Sequence, residues 1–132
     1  MNILRDELED ETSPKQTVFQ CETGFSIESQ QDIGKVVVKI IGEVDMNSST
    51  FVENYTKTYI NRFPHNDIHL DLSGVSFIDS VGLASILCMR DLLRRYGHKL
   101  LVEHVSPPVK RLVTLLSVQG TSELFETQLK VV

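Results

Sequence analysis

From Val36 onward the chain alternates between stretches patterned for strands and stretches patterned for helices, and this alternation limits the fold more than any other feature. The apolar run Val36 to Ile41 reads as a strand, and Phe51, Val52, Tyr55, Tyr59, Ile60 and Phe63 then recur at helical spacing until Pro64 ends the segment. Ile68 to Leu72 alternates as a strand, followed by Ser73-Gly74 and a second apolar pair, Phe77-Ile78. A helix is expected from Asp79-Ser80 to Tyr96, because Gly97 supplies a C-terminal stop. Lys99 to Val105 is a further strand, Pro107-Pro108 opens a helix carrying Val109, Leu112, Val113, Leu115 and Leu116, and Leu124-Phe125 suggests a short final strand. Before Val36, the residues Val18, Phe19 and Cys21, then Phe25 and Ile27, are strand-like. A turn at Gln31-Asp32-Ile33-Gly34 joins them to the Val36 run, which is expected to be buried on both faces. That run stops at Gly42-Glu43-Val44-Asp45, and Asn47-Ser48-Ser49 offers caps for the helix that follows. Strands separated by helices imply parallel crossovers and an α/β layer architecture.

A chain of 132 residues is one domain, long enough to build a core without disulfides or a structural metal. Residues 1 to 15 hold five acids against Arg5 and Lys15, so −3 of the formal charge of −5 sits there and the body is nearly neutral. Residues 1–16 accordingly read as an acidic flexible tail, and 17–132 as the folded domain. A body without a basic footprint argues against direct nucleic-acid binding and against a polybasic membrane contact. The opening residues lack the basic and apolar regions of a signal peptide, and no apolar run approaches the roughly 18 residues of a membrane span. Cys21 and Cys88 fit no zinc spacing and no CxxC motif, a scarcity that suits a reducing cytoplasm.

No enzyme is expected. His65, His69, His98 and His104 show no metal-ligand spacing and read as surface or strand-edge residues, and there is no GxSxG elbow, phosphate loop or dinucleotide fingerprint. Ser80 has no evident base, and Asp71 reads as a solvent-facing strand residue. No cofactor or metal is called for.

The segment from Asp79 to Leu83 carries more information. At 100° per residue, Ile86, Met89, Leu92, Leu93 and Tyr96, with Ser85 and Cys88, fall on one arc, the natural core face. The opposite arc holds Ser80, Leu83, Ala84, Leu87, Arg90, Asp91 and Arg94. Leu83 and Leu87, bordered by Arg90 and Arg94, are either a protein-binding stripe or leucines covered by a neighbouring helix. Ser80, at the head of that arc, is either a helix cap or a site for charge modification. A phosphate there would face unpaired N–H groups and the positive end of the helix dipole, so the fold would tolerate it. A partner packed on the leucines would instead meet a group of charge about −2. Gly82 permits close backbone approach.

Asp71-Leu72-Ser73-Gly74-Val75-Ser76-Phe77-Ile78-Asp79-Ser80-Val81-Gly82-Leu83 closely resembles the signature of the STAS domain, and specifically that of bacterial anti-sigma factor antagonists. Gly42-Glu43-Val44-Asp45 matches a second landmark, and the stretch from Leu100 through Pro107-Pro108 to Leu112, with Leu124-Phe125, fits the rest. The resemblance implies a small mixed sheet of four or five strands flanked by about four helices. It also implies partner switching: the unphosphorylated protein binds an anti-sigma factor that is also a serine kinase and so releases a sigma factor, phosphorylation weakens the complex, and a PP2C-type phosphatase restores it. Carried over, Ser80 is the phosphoacceptor. Asp79, Gly82, Leu83 and Leu87 belong to the docking surface with Arg90 and Arg94, and Glu43, Asp45, Asn47 and Ser48 form a secondary contact near Ser80. Ser48, Ser49, Ser73 and Ser76 are other hydroxyls near the site. The alternative that the resemblance leaves open is a STAS adaptor subunit of a lipid-transport or other complex, without a phosphorylation switch.

Overall fold

The computed structural model describes residues 3–6, 16–20, 24–32, 35–62, 66–116 and 124–125. Its strands are β1 (Ile3–Asp6), β2 (Gln16–Gln20), β3 (Ser26–Asp32), β4 (Lys35–Val44), β5 (Asp67–Ile78) and β6 (Leu100–Val105). Helix α1 (Met46–Arg62) joins β4 to β5, α2 (Ser80–Arg95) joins β5 to β6, and α3 (Pro107–Leu116) follows β6. The strands form one sheet in sequence order, antiparallel from β1 to β4 and parallel from β4 to β6. This is the mixed α/β architecture expected, built on two helical crossovers.

Several details differ from the sequence expectations. The described sheet has six strands rather than four or five, and three helices are described rather than about four. Strand β2, on the outer edge of β3, carries the strand-like Val18 and Phe19, while Cys21 lies outside the described residues; the strand not expected is β1, which pairs with β2. Ile3–Asp6, expected in a flexible tail, is therefore part of the ladder; pairing of backbone N–H and C=O groups needs no apolar pattern to announce it. Within β4 only Val36, Val38, Ile40 and Val44 are buried, while Lys39 is exposed. The strand is thus buried on one face and not on both, because the helices contribute their buried side chains to a single cluster with that face. Of the turn expected at Gln31-Asp32-Ile33-Gly34, Gln31 and Asp32 belong to β3, while Ile33 and Gly34 lie outside the described residues. Leu124 and Phe125 form a helical turn rather than a strand, and Phe125 is buried in the core.

The core joins Phe25 and Ile27 of the β3 side to Val52, Tyr55 and Tyr59 of α1, Leu83, Ile86, Met89 and Leu93 of α2, and Val109 and Val113 of α3. Phe25 packs on Phe51 with ring centroids 6.1 Å apart, which ties the start of β3 to the first half of α1. The end of α2 follows the expected rule: Tyr96 is the cap residue and Gly97 takes a positive φ of 82°, the left-handed conformation that glycine adopts without strain. Because α1 and α2 each leave the end of a neighbouring parallel strand, their N-termini emerge side by side.

Candidate functional site

Those two N-termini are bound to each other through Val44, the last residue of β4. Its carbonyl oxygen accepts the backbone N–H of Asp79 at 3.3 Å, and the backbone of Gly82 lies so close that a Cβ there would stand 1.8 Å from the same oxygen. Only glycine fits. This contact sets the roll of α2 about its axis, and it brings the Glu43–Ser48 stretch next to Ser80.

Asp79 is the N-cap of α2. Its backbone is extended, and its Oδ1 accepts the Gly82 N–H at 2.8 Å, satisfying one of the donors that a helix start leaves open. Ser80 is consequently the first helical residue and not the cap. It is exposed, and its hydroxyl makes no hydrogen bond among the described residues. The start of α1 is capped by Asp45, whose Oδ1 accepts from Asn47 N–H at 2.9 Å and Ser48 N–H at 3.2 Å, so the helix begins ahead of the caps expected at Asn47, Ser48 and Ser49. Ser48 completes a reciprocal pair: its oxygen accepts the Asp45 N–H at 2.9 Å, and its hydroxyl donates to the Glu43 carbonyl at 2.8 Å.

These bonds sort the neighbouring hydroxyls. Ser48 is buried and engaged, and Ser49 donates to the Met46 carbonyl at 2.9 Å. Ser73 and Ser76 are exposed on β5.

The roll of α2 overturns the wheel. Gly82, Leu83, Ile86, Met89 and Leu93 are buried, Leu83 to 1% exposure, while Cys88 is exposed and Tyr96 is 60% exposed. Leu87 is half-buried against the core. The expected surface stripe of Leu83 and Leu87 therefore does not exist: once Gly82 is pressed on Val44, Leu83 must turn inward. Arg90, half-buried, pairs with Asp91 at 3.1 Å, and Arg94 is exposed, but it stands about 21 Å along the helix axis from Ser80 at 1.5 Å per residue. Of the residues singled out in the sequence, Glu43, Asp45, Asn47, Ser48, Asp79, Ser80 and Gly82 are brought together. Leu83 and Leu87 serve the interior, and Arg90 and Arg94 lie elsewhere on α2.

In place of that stripe, a groove of about 500 Å³ runs between α1 and α2 from the Ser80 end. Its α2 side is Val81, Ala84, Cys88 and Leu92, and its α1 side includes Ser49, Glu53 and Lys57. Val81, 45% exposed, stands beside Ser80, and Met46, 68% exposed, heads α1. The sequence signal for this groove was the spacing of 81, 84, 88 and 92, readable once 82, 83, 86, 89 and 93 are taken as the buried set.

The histidines also divide. His69 Nδ1 lies 2.7 Å from Glu103 and His104 is exposed, but His98 is buried, with Nδ1 2.6 Å from the Asn66 carbonyl and its ring edge-on to Tyr59. A buried His98 corrects the surface reading; it ties the end of α2 to the start of β5. Among the described residues no three His, Cys, Asp or Glu side chains are grouped to hold a metal ion, and no helix is long and apolar enough to cross a membrane.

Comparison with known proteins gives the family and the fold. A relative from Paenibacillus polymyxa named anti-sigma F factor antagonist is 33% identical over 91 residues, covering 69% of this chain and 78% of that protein. The crystal structure of an anti-sigma factor antagonist from Mycobacterium paratuberculosis superposes with a TM-score of 0.62 at 23% identity, covering 77% of this chain and 86% of the other. The anti-sigma factor antagonist SpoIIAA in its unphosphorylated form gives 0.53 at 21% identity, over 69% of this chain and 82% of that one. Both structures share the fold. The profile of the STAS domain matches residues 25–130, from the residue before β3 nearly to the C-terminus, and the chain belongs to the STAS domain family.

Proposed function

We propose that this chain is an anti-sigma factor antagonist whose binding is controlled by phosphorylation of Ser80. In the unphosphorylated form it docks on an anti-sigma factor that is also a serine kinase, through the α2 start, the Glu43–Asn47 loop and the adjoining α1/α2 groove, and so releases a sigma factor. A PP2C-type phosphatase reverses the modification. The protein is then a kinase substrate in the cytoplasm and not an enzyme.

One observation carries this reading: Asp79 performs the capping, which leaves the Ser80 hydroxyl exposed and uncommitted, next in the chain to Val81 on the wall of a partly apolar groove. A phosphoryl group at the first position of a helix meets the positive end of the dipole, so the fold accepts it. A docked partner meets about two negative charges next to Asp79, Asp45 and Glu43, and must desolvate them. The switch acts on binding and leaves folding alone. The P. polymyxa relative, named an anti-sigma F factor antagonist, supports the choice of partner class.

The test uses the unphosphorylated chain as bait for its kinase, followed by incubation with ATP and mass spectrometry. Phosphate is expected on Ser80 alone. Ser80→Ala should bind the kinase as the wild type does, and Ser80→Asp should weaken binding by about tenfold or more, 1.4 kcal/mol. Modification at another residue, or equal binding by the Ala and Asp variants, would refute the switch.

A further inference from the structure

The sheet face turned away from the core carries side chains that alternate in sign from strand to strand. Glu28 on β3 stands opposite Lys39 on β4, Lys39 opposite Asp71 on β5, and, past a register shift that leaves Glu103 beside the row and paired with His69 at 2.7 Å, Asp71 opposite His104 on β6. Directly opposed residues of adjacent strands point to the same face with Cβ atoms about 5 Å apart. The four therefore form a row of negative, positive, negative and, when His104 is protonated, positive charge. Within one chain such a row stabilises the sheet through its cross-strand pairs, and that role needs no partner.

Two features exceed it. Leu101, next to this row on β6, is 44% exposed, and Val37 and Ile41, which flank Lys39 on β4, are only half-buried. The face is thus less polar than one built solely for water. In addition, an alternating row of four is complementary to itself. Turned about a two-fold axis parallel to the strands and midway between β4 and β5, Lys39 meets Asp71 of a second copy, and Glu28 meets His104. An isologous contact has this form, in which residue i meets j as j meets i.

We propose that this open sheet face is a self-association surface, on which a second copy docks sheet to sheet with its strands within about 30° of alignment. Four strands about 4.8 Å apart and some five residues long give a footprint of roughly 300 Å² per copy. That is well below the ~800 Å² per partner of a stable complex, so the dimer is weak, with a Kd on the order of 100 µM. It loosens as salt shortens the screening length from about 10 Å at 0.1 M to 3 Å at 1 M. In such a dimer α1, α2 and the Ser80 groove face outward on both copies, so the inference stands apart from the reading of Ser80.

Sedimentation equilibrium from about 10 µM to about 1 mM at low salt brackets that affinity. The apparent mass of the 14.9 kDa chain should rise towards twice its value across the range. Lys39→Glu and Asp71→Lys each place like charges across the two-fold and should each weaken association by at least about tenfold. An equimolar mixture of the two should associate as the wild type does, since each supplies the charge that the other lacks. Like charges remain side by side within each variant's own sheet, so relief of internal strain cannot produce that recovery. Asp71→Lys also gives up the bond from the Ser73 N–H. If that variant does not fold, Glu28→Lys mixed with His104→Glu makes the same exchange at the outer pair. A wild type that stays monomeric throughout, or folded variants whose mixture does not regain association, overturns the proposal.

Discussion

The two helix starts at the site are built from the same two residue types, and they put them to opposite uses. Each begins where a parallel strand runs out, each is capped by an aspartate, and each has a serine in its first turn. In α1 the serine is the third helical residue. From there Ser48 reaches back to the Asp45 N–H and donates to the Glu43 carbonyl, so its hydroxyl is buried and spent on the fold. In α2 the serine is the first helical residue, where the cap is already made by Asp79. Its hydroxyl is left to solvent. An offset of two positions from the capping aspartate separates a structural serine from one available for chemistry.

The strongest way to break this pairing is to separate the two starts. In Gly82→Ala the new Cβ would stand 1.8 Å from the Val44 carbonyl oxygen, backbone that cannot give way cheaply. A loss of about 3 kcal/mol is expected, with a fall in melting temperature on the order of 10 °C and weaker partner binding. A variant of wild-type stability would show that the helices do not depend on this contact. Ser48→Ala comes next, because it strips partners from the Asp45 N–H and the Glu43 carbonyl; about 2 kcal/mol is expected. Ser80→Ala, by contrast, should stay within about 0.5 kcal/mol of wild type in denaturant unfolding. Equal losses at the two serines would mean that both hydroxyls serve the fold. Asp79→Ala removes a single capping bond and should cost about 1 kcal/mol.

The sequence made some of this legible and concealed the rest for identifiable reasons. The extent of α2 could be read from Asp79-Ser80 and Gly97, since caps and C-terminal glycines act locally. The roll of α2 could not be read, because it is set by contact with Val44, some 38 positions away in the chain, and the wheel alone leaves open the two readings of Leu83 and Leu87 that this contact decides. From the sequence Ser80 reads as either a helix cap or a site for modification, and the identity of the cap at each helix start is visible only with backbone geometry. Strand β2 could be read at Val18 and Phe19, whereas β1 gave little signal, as backbone pairing with β2 needs no side-chain period.

A third aspartate makes the smallest and most discriminating comparison. Asp71, like Asp45, accepts the N–H two residues on, here that of Ser73 at 2.8 Å, but it sits within a strand and no helix follows. Burial alone would raise its carboxyl. The Ser73 hydroxyl and N–H, with Lys39 and His104, outweigh burial and hold it below the usual carboxylate range. Folding therefore favours the ionised form. The stability so gained is present above the ordinary carboxyl pKa of about 4 and is lost as pH falls through the lowered folded value. Asp71→Asn should thus be less stable than wild type near pH 7, by under about 1 kcal/mol for so solvent-accessible a group. The gap should close in melting curves taken between about pH 4 and pH 2. A gap independent of pH would mean that Asp71 acts by shape and hydrogen bonding, as a cap does, and that its charge has no part in holding the sheet.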